Sequence, residues 1–318
     1  MDLNKFTDGV KRRLSKWGFF YDDSNRDKKV VLVASMGRSG STWISNLINH
    51  KNNYRIIFEP FNYERVKETS EFNYPLYLRE NEHYPHYQKV VGDILNGKIK
   101  SAWVDRENRQ FFPEARLIKT IRGNLFLKWL KNNFPDIKIV LLFRNPCAVI
   151  NSWNNMNFGD GRKPLRRLNE QKEFLEDFGE YFKYFRNEDS SFYRLLFFWA
   201  YYYWVPLQQF NKSNIHLVFY ENLFWNREEE ISSLFQFLNE EYNTKAMNKK
   251  VMRPSSTTRN DGGSQRKNYL HAWKKNIGKE EIWKAYEILK SFGMGDIYDI
   301  ENSKPNKEIA YRILEEYR

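Results

Sequence analysis

KKVVLVASMGRSGSTWISNLINH, residues 28–50, is the stretch whose reading decides the fold. Residues 30–34 are a short, continuous apolar run rich in β-branched side chains, which predicts a strand buried on both faces of a parallel sheet. A turn rich in Gly and Ser follows. Trp43, Ile44, Leu47 and Ile48 then recur at helical spacing. Strand, loop and helix in this order make an anion site. Gly37 and Gly40 let the backbone approach closely, and the first N–H groups of the helix point at the ligand. Ser39, Ser41 and Thr42 add hydroxyl donors, and Arg38 adds a planar charged fork. The anion is a phosphate or a phosphosulfate.

Working outward, strands are expected at 54–58, 115–121, 138–143 and 214–220, with helices at 125–133, from Pro146 onward, and at 228–238. Alternating strands and helices predict one parallel sheet covered on both faces, an α/β protein of three layers. The run FYRLLFFWAYYYW at 192–204 carries aromatics all round, which favours a buried helix over an exposed stacking platform. Residues 1–318 are read as a single domain. Residues 1–28 form a basic helical extension, 62–113 and 154–190 acceptor-side or lid segments, and 255–267 a mobile loop with two glycines and no apolar side chain.

Hydrophobic residues make up 41% of the 318 positions, enough for a sizeable core, and 52 basic residues against 40 acidic ones leave a net charge of +12. That surplus favours an anionic partner. The basic residues are spread along the chain without a nucleic-acid motif, so no nucleic-acid partner is expected. One cysteine, Cys147, excludes an intrachain disulfide and fits a reducing, cytoplasmic setting. No stretch approaches the ~20 apolar residues of a membrane span. The N-terminus lacks the apolar core of a signal peptide. It reads as a surface helix packed on the domain, or as a basic amphipathic helix making peripheral membrane contact. Five scattered histidines and one cysteine give no metal-ligand spacing, and no metal is expected.

A nucleoside-triphosphate kinase would show G-x-x-x-x-G-K-[ST] in the first loop. Here Ala34 replaces the first glycine, Ser41 stands where the lysine belongs, and the cation is Arg38 inside the loop. Such a kinase also wants a carboxylate near Mg²⁺. The strand KIVLLF ends instead in Arg144, and Ser152 lies two helical turns further on. Together they can grip one phosphate from two sides.

These stretches carry a family resemblance. GRSGSTW resembles the 5′-phosphosulfate loop of sulfotransferases that use 3′-phosphoadenosine 5′-phosphosulfate (PAPS), and RNPCAVINSW resembles their 3′-phosphate motif. Leu117-Ile118-Lys119-Thr120 is similar to the strand that carries a lysine beside the transferring group. Tyr220-Glu221-Asn222-Leu223 resembles their Y-E-[DN]-L strand end, and RKNYLHAWKKNIGKEEIWKAYEILKSFG resembles their last segment. The likeness runs from about residue 28 to 293, in order.

The resemblance implies a P-loop-like, nucleotide-kinase-like sulfotransferase fold with PAPS as co-substrate. Gly37, Arg38, Ser39, Gly40, Ser41 and Thr42 would hold the phosphosulfate, with Arg38 and Lys119 stabilising the leaving oxygen. Arg144 and Ser152 would bind the 3′-phosphate, and Arg266 or Lys267 would close over it. Trp43 or Tyr220 would pack near the adenine, or belong to the core. The cytosolic phenol and steroid group carries Lys-Thr-His, whose histidine is the base, whereas this chain reads Lys119-Thr120-Ile121. Its K-T-I-R and F-E-P stretches are closer to the carbohydrate and bacterial members. Glu59 becomes the candidate base, with a carboxylate paired to an arginine at a strand end as the alternative; Asp93 is a weaker choice. The expected acceptor is a small molecule or glycan, tilted toward a sugar hydroxyl. A small-metabolite kinase, or a non-enzymatic anion- or glycan-binding protein, are the rival readings.

Overall fold

Five parallel strands, β1 (Val30–Ser35), β2 (Tyr54–Phe58), β3 (Ala115–Thr120), β4 (Lys138–Phe143) and β5 (His216–Phe219), form one sheet in the order β2-β3-β1-β4-β5. The computed structural model describes residues 20–184, 190–244, 270–299 and 301–316. Most of the N-terminal extension and the whole 255–267 loop, with Arg266 and Lys267, lie outside the described residues.

Side chains along a strand alternate between faces, and here both faces are apolar. Leu32, Ala34, Ile57, Ile118, Ile139, Leu141, Phe143, Leu217 and Phe219 enter one core layer, while Val31, Val33, Ile56, Leu117, Val140, Leu142 and Val218 enter the other. The second layer is closed by α1 (Ser41–Ile48). The first layer is larger, holding side chains of α2 (Pro85–Leu95), α3 (Leu127–Asn133), α4 (Pro146–Asn154), α5 (Arg162–Asn169), α6 (Lys172–Phe178) and α7 (Ser191–Gln209). The chain continues through the single turn α8 (Asn222–Trp225) and α9 (Arg227–Leu238), which returns to the α1 side, then α10 (Lys279–Ser291) and α11 (Lys307–Glu316) on the α7 side. The expected three-layer α/β architecture is therefore the observed one, with β2 and β4 at their expected limits and β5 shorter than expected.

Helix α7 is the aromatic run, and it is buried around its whole circumference, as its composition suggests. Within the expected acceptor-side or lid segment 154–190, the described residues include α5 and α6, whose Leu165, Leu168 and Phe174 supply apolar anchors that reach the core. The segment also locks onto the 62–113 excursion. Arg79 pairs with Glu176 and Asp177, and the Tyr77 and Tyr84 hydroxyls donate to Asp177 and Glu173.

One buried charge network had no signal in the sequence. Asp22, ahead of the sheet, accepts hydrogen bonds from Arg55 Nη1 of β2 and Arg116 Nε of β3, each at 3.0 Å, and Arg55 Nε reaches Asp105 at 2.9 Å. Burial raises the proton affinity of Asp22, but donors from Arg116, Lys28 and Arg55 outweigh it and hold the carboxyl below its ordinary value. A lowered native pKa means that this stabilisation is present above the unfolded value of 3.8 and is lost as pH falls below it. Asp22→Ala leaves the buried Arg116 guanidinium without a counter-charge, while Arg55 keeps Asp105, so urea unfolding at neutral pH should show a loss of about 3–5 kcal/mol. The gap from the wild type should narrow in acid.

Candidate active site

The loop 37–43, Glu59, Lys119, Arg144 and Tyr220 all follow, or sit at, the C-terminal end of a strand. Strand order reverses between β1 and β4, and that is where α/β sheets open a crevice for ligands. The first loop leaves β1 there through Met36 and Gly37. Arg38 adopts φ 71°, a left-handed conformation that costs free energy in any residue with a Cβ. Gly40 follows at φ 96°, where a Cβ would stand 2.6 Å from the Tyr220 ring. Only glycine satisfies both the angle and the contact.

Two buried groups hold this loop. The Met36 amide donates to the Tyr203 hydroxyl at 3.0 Å, which in turn donates to the Leu142 carbonyl at 2.9 Å; Ser39 Oγ lies 3.2 Å from the same hydroxyl. The Trp153 indole N–H donates to the Gly37 carbonyl at 2.8 Å. Tyr203 comes from α7 and Trp153 from α4, so two separate helices fix one turn.

The two arginine-bearing loops meet. Arg144 Nη1 donates to the Arg38 carbonyl at 2.7 Å, and Arg38 Nε donates to Ser152 Oγ at 3.0 Å. The Arg144 guanidinium lies 4.5 Å from the centroid of the Tyr220 ring, and its Nε is buried with no hydrogen-bond partner among the described residues. Burial lowers the proton affinity of Arg38, and the nearby Arg144 charge lowers it further. Neither guanidinium forms an ion pair with a carboxylate among the described residues. The sequence suggested two separate positive grips; the structure gives two that share a wall, with Arg38 touching the serine expected to serve Arg144.

Glu59 sits just past β2 in a left-handed conformation, φ 44°. Its Oε1 accepts from Lys119 Nζ at 3.0 Å, and its Oε2 from the Ile121 amide at 3.0 Å and from Arg122 Nη1 at 3.3 Å. The candidate base and the candidate leaving-group cation are therefore one buried ion pair at the tips of β2 and β3. Asp93 is elsewhere, on α2, paired with Lys89 and Lys98.

A family model described as "Sulfotransferase domain" matches residues 28–288. The chain belongs to the sulfotransferase domain family. No curated protein matches it in sequence. Among solved structures it is similar to a sulfotransferase domain from the curacin biosynthetic pathway, at 19% identity over 91% of this chain and 97% of that one, TM-score 0.43. A sulfotransferase domain of a Synechococcus olefin synthase gives 12% identity over 88% and 98%, TM-score 0.46. A mouse sulfotransferase complexed with 3′-phosphoadenosine 5′-phosphate (PAP) gives 15% identity over 97% and 94%, TM-score 0.44.

In this sulfotransferase, Trp43 and Tyr220 pack together, 5.3 Å between ring centroids, and Phe224 joins them 5.4 Å from Trp43. Trp43 is buried, its Nε1 without a partner among the described residues, whereas Tyr220 is half-exposed. His216 is buried in β5, stacked on Phe237 and held neutral, its pKa pushed down to about 3 by burial, which fits a structural role. Among the described residues no cluster of His, Cys, Asp and Glu could hold a metal ion.

The sequence reading gave no role to Tyr203, Trp153 or Glu221. Tyr203 was one aromatic among many. Trp153 and Glu221 were visible inside motifs, but their partners were not. Glu221 is buried beneath Arg144 and accepts from the Asn145 amide at 2.9 Å, which ties the end of β5 to the turn that presents Arg144. Burial pushes its pKa up to about 7, against the opposing pull of the Asn145 N–H and the Arg144 charge. A raised native pKa on an acid means its stabilising share is complete below the unfolded value of 4.5 and is lost as pH rises through about 7. Urea unfolding between those limits should therefore show a fall in stability on the order of 3 kcal/mol that Glu221→Gln abolishes.

Proposed function

We propose that this sulfotransferase transfers a sulfuryl group from PAPS to a hydroxyl or amine of an acceptor, with a sugar hydroxyl as the favoured acceptor. The observation that carries the donor assignment is the convergence of Arg38, Arg144 and Ser152. Two guanidinium groups held together with no carboxylate between them, one with an orphaned buried N–H, form a site completed by an anion rather than by the protein. A 3′-phosphate fits the Arg144–Ser152 side. The glycine turn and the first N–H groups of α1 fit the phosphosulfate.

Transfer is then an alignment problem. The acceptor oxygen forms a bond to sulfur as the bond from sulfur to the bridging oxygen breaks, and the electron pair stays on the 5′-phosphate. Arg38 and Lys119 stabilise that oxygen, and Glu59 takes the acceptor proton. Lys119 and Arg122 also hold Glu59 in place. The segments 62–113 and 154–190, joined through Arg79, Tyr77 and Tyr84, form the acceptor side of the single domain. The same reading places the protein in the cytoplasm, in keeping with its single buried thiol.

PAP should raise the melting temperature in EDTA, and ATP with Mg²⁺ should raise it less; the reverse order would favour a kinase. Arg144→Ala should weaken PAP by about 1.5–3 kcal/mol for the lost charged hydrogen bond, measured by calorimetry, while barely changing affinity for the 3′-dephospho analogue. Glu59→Gln should lower kcat on PAPS by about 10²–10⁴-fold with PAP affinity kept. Near-normal turnover would leave Glu59 only the role of positioning Lys119.

A further inference from the structure

Beside the Glu59–Lys119 pair lies a cluster that neither the donor nor the proton transfer uses. Residues 101–108 form a loop clamped to the tip of β2. The Phe58 amide donates to the Val104 carbonyl at 2.8 Å, the Trp103 indole N–H to the Glu59 carbonyl at 3.3 Å, and Asp105 is anchored by Arg55. Trp103 packs edge-on to Phe58 at 5.4 Å, and Phe58 takes Lys119 Nζ at 4.2 Å from its ring centroid. On this aromatic platform stand two exposed arginines. Arg106 lies 4.9 Å from both ring centroids, and Arg65 lies 5.6 Å from that of Trp103. Neither forms an ion pair among the described residues. Aromatic contact limits their motion at little electrostatic cost and leaves the N–H edges free for an oxyanion.

Next to them is Glu107, half-buried, with no hydrogen bond or ion pair among the described residues. Burial raises its proton affinity; Lys119 and Arg106 are among the charges opposing this, and Glu59 adds to it. It therefore belongs to the same electrostatic neighbourhood as the reacting groups. A carboxylate with free lone pairs accepts O–H donors.

We propose that Arg65 and Arg106, braced on Trp103, bind a carboxylate or sulfate on the acceptor while Glu107 accepts from its hydroxyls, so that the acceptor is an acidic sugar. This rests on the sulfotransferase reading and sharpens its acceptor class. Guanidinium pair and carboxylate together select a molecule bearing both an anion and hydroxyl donors. An anionic lipid surface would use the arginines and leave Glu107 facing negative charge.

The test is calorimetry on the full chain saturated with PAP. The probes are an unsulfated chondroitin tetrasaccharide, whose glucuronates supply the anion, and the same tetrasaccharide with its carboxyls reduced. The acidic form should bind at least tenfold more tightly. The double variant Arg65→Gln/Arg106→Gln should erase that preference with PAP affinity within twofold, and each single variant should erase part of it. Glu107→Gln should weaken both forms alike. Equal affinity for the two sugars, no binding of either, or a preference that survives the double variant overturns the proposal. Arginine-dependent binding to phosphatidylglycerol vesicles without sugar binding overturns it in favour of a membrane surface. Failure of PAP itself to bind is a different result, and removes the donor assignment.

Discussion

Two like charges held side by side are the constraint around which the rest of the site is arranged. Arg38 and Arg144 repel, and burial adds to the cost of keeping Arg38 charged. They stay because each is fixed by something other than a counter-ion. Arg144 bonds the Arg38 carbonyl and lies against Tyr220, and Arg38 bonds Ser152. The cost is met by the packing of β1 and β4 as neighbours, which puts their exit loops in contact whatever the loops contain. A doubly charged ligand relieves the repulsion, and in that sense the free protein is built with a deficit of negative charge at one place.

The opposite arrangement holds a strand away. Lys119, Arg122 and Glu59 satisfy one another at the tips of β2 and β3. Here charges are paired and buried, and breaking them costs more than surface pairs do. Thus one rim of the crevice is unpaired and receptive, and the other is paired and positioned. On the proposed reading, the first rim holds the donor and the second positions the proton transfer.

The sheet was legible from the sequence because its strands are apolar on both faces, which leaves little room for another interpretation. The anion loop was legible because its glycines fall between a strand and a helix. Pairings across the chain were not. Glu59 was named as a base with an arginine as its alternative partner, yet its bond to Lys119 depends on register between β2 and β3, which no local pattern encodes. Arg38 was assigned to one phosphate and Ser152 to the other, while their contact follows from β1 and β4 being adjacent. Asp22 fell inside the stretch 1–28 read as a basic helical extension. Within 154–190 the few apolar anchors are spaced among charges, so the sequence showed a polar segment and not the two helices that burial of those few sets.

Helix α7 carries one arrangement whose effect reaches across the crevice. Tyr203 suspends the Met36 amide, and its neighbour Tyr202 donates to the Ile121 carbonyl at 2.9 Å, just beyond Lys119. Consecutive residues on one rod therefore suspend the glycine turn after β1 and the lysine-bearing strand end. Sliding that rod along its own axis would carry both in the same direction, so their separation is set by the pitch of a helix rather than by the slack of two loops.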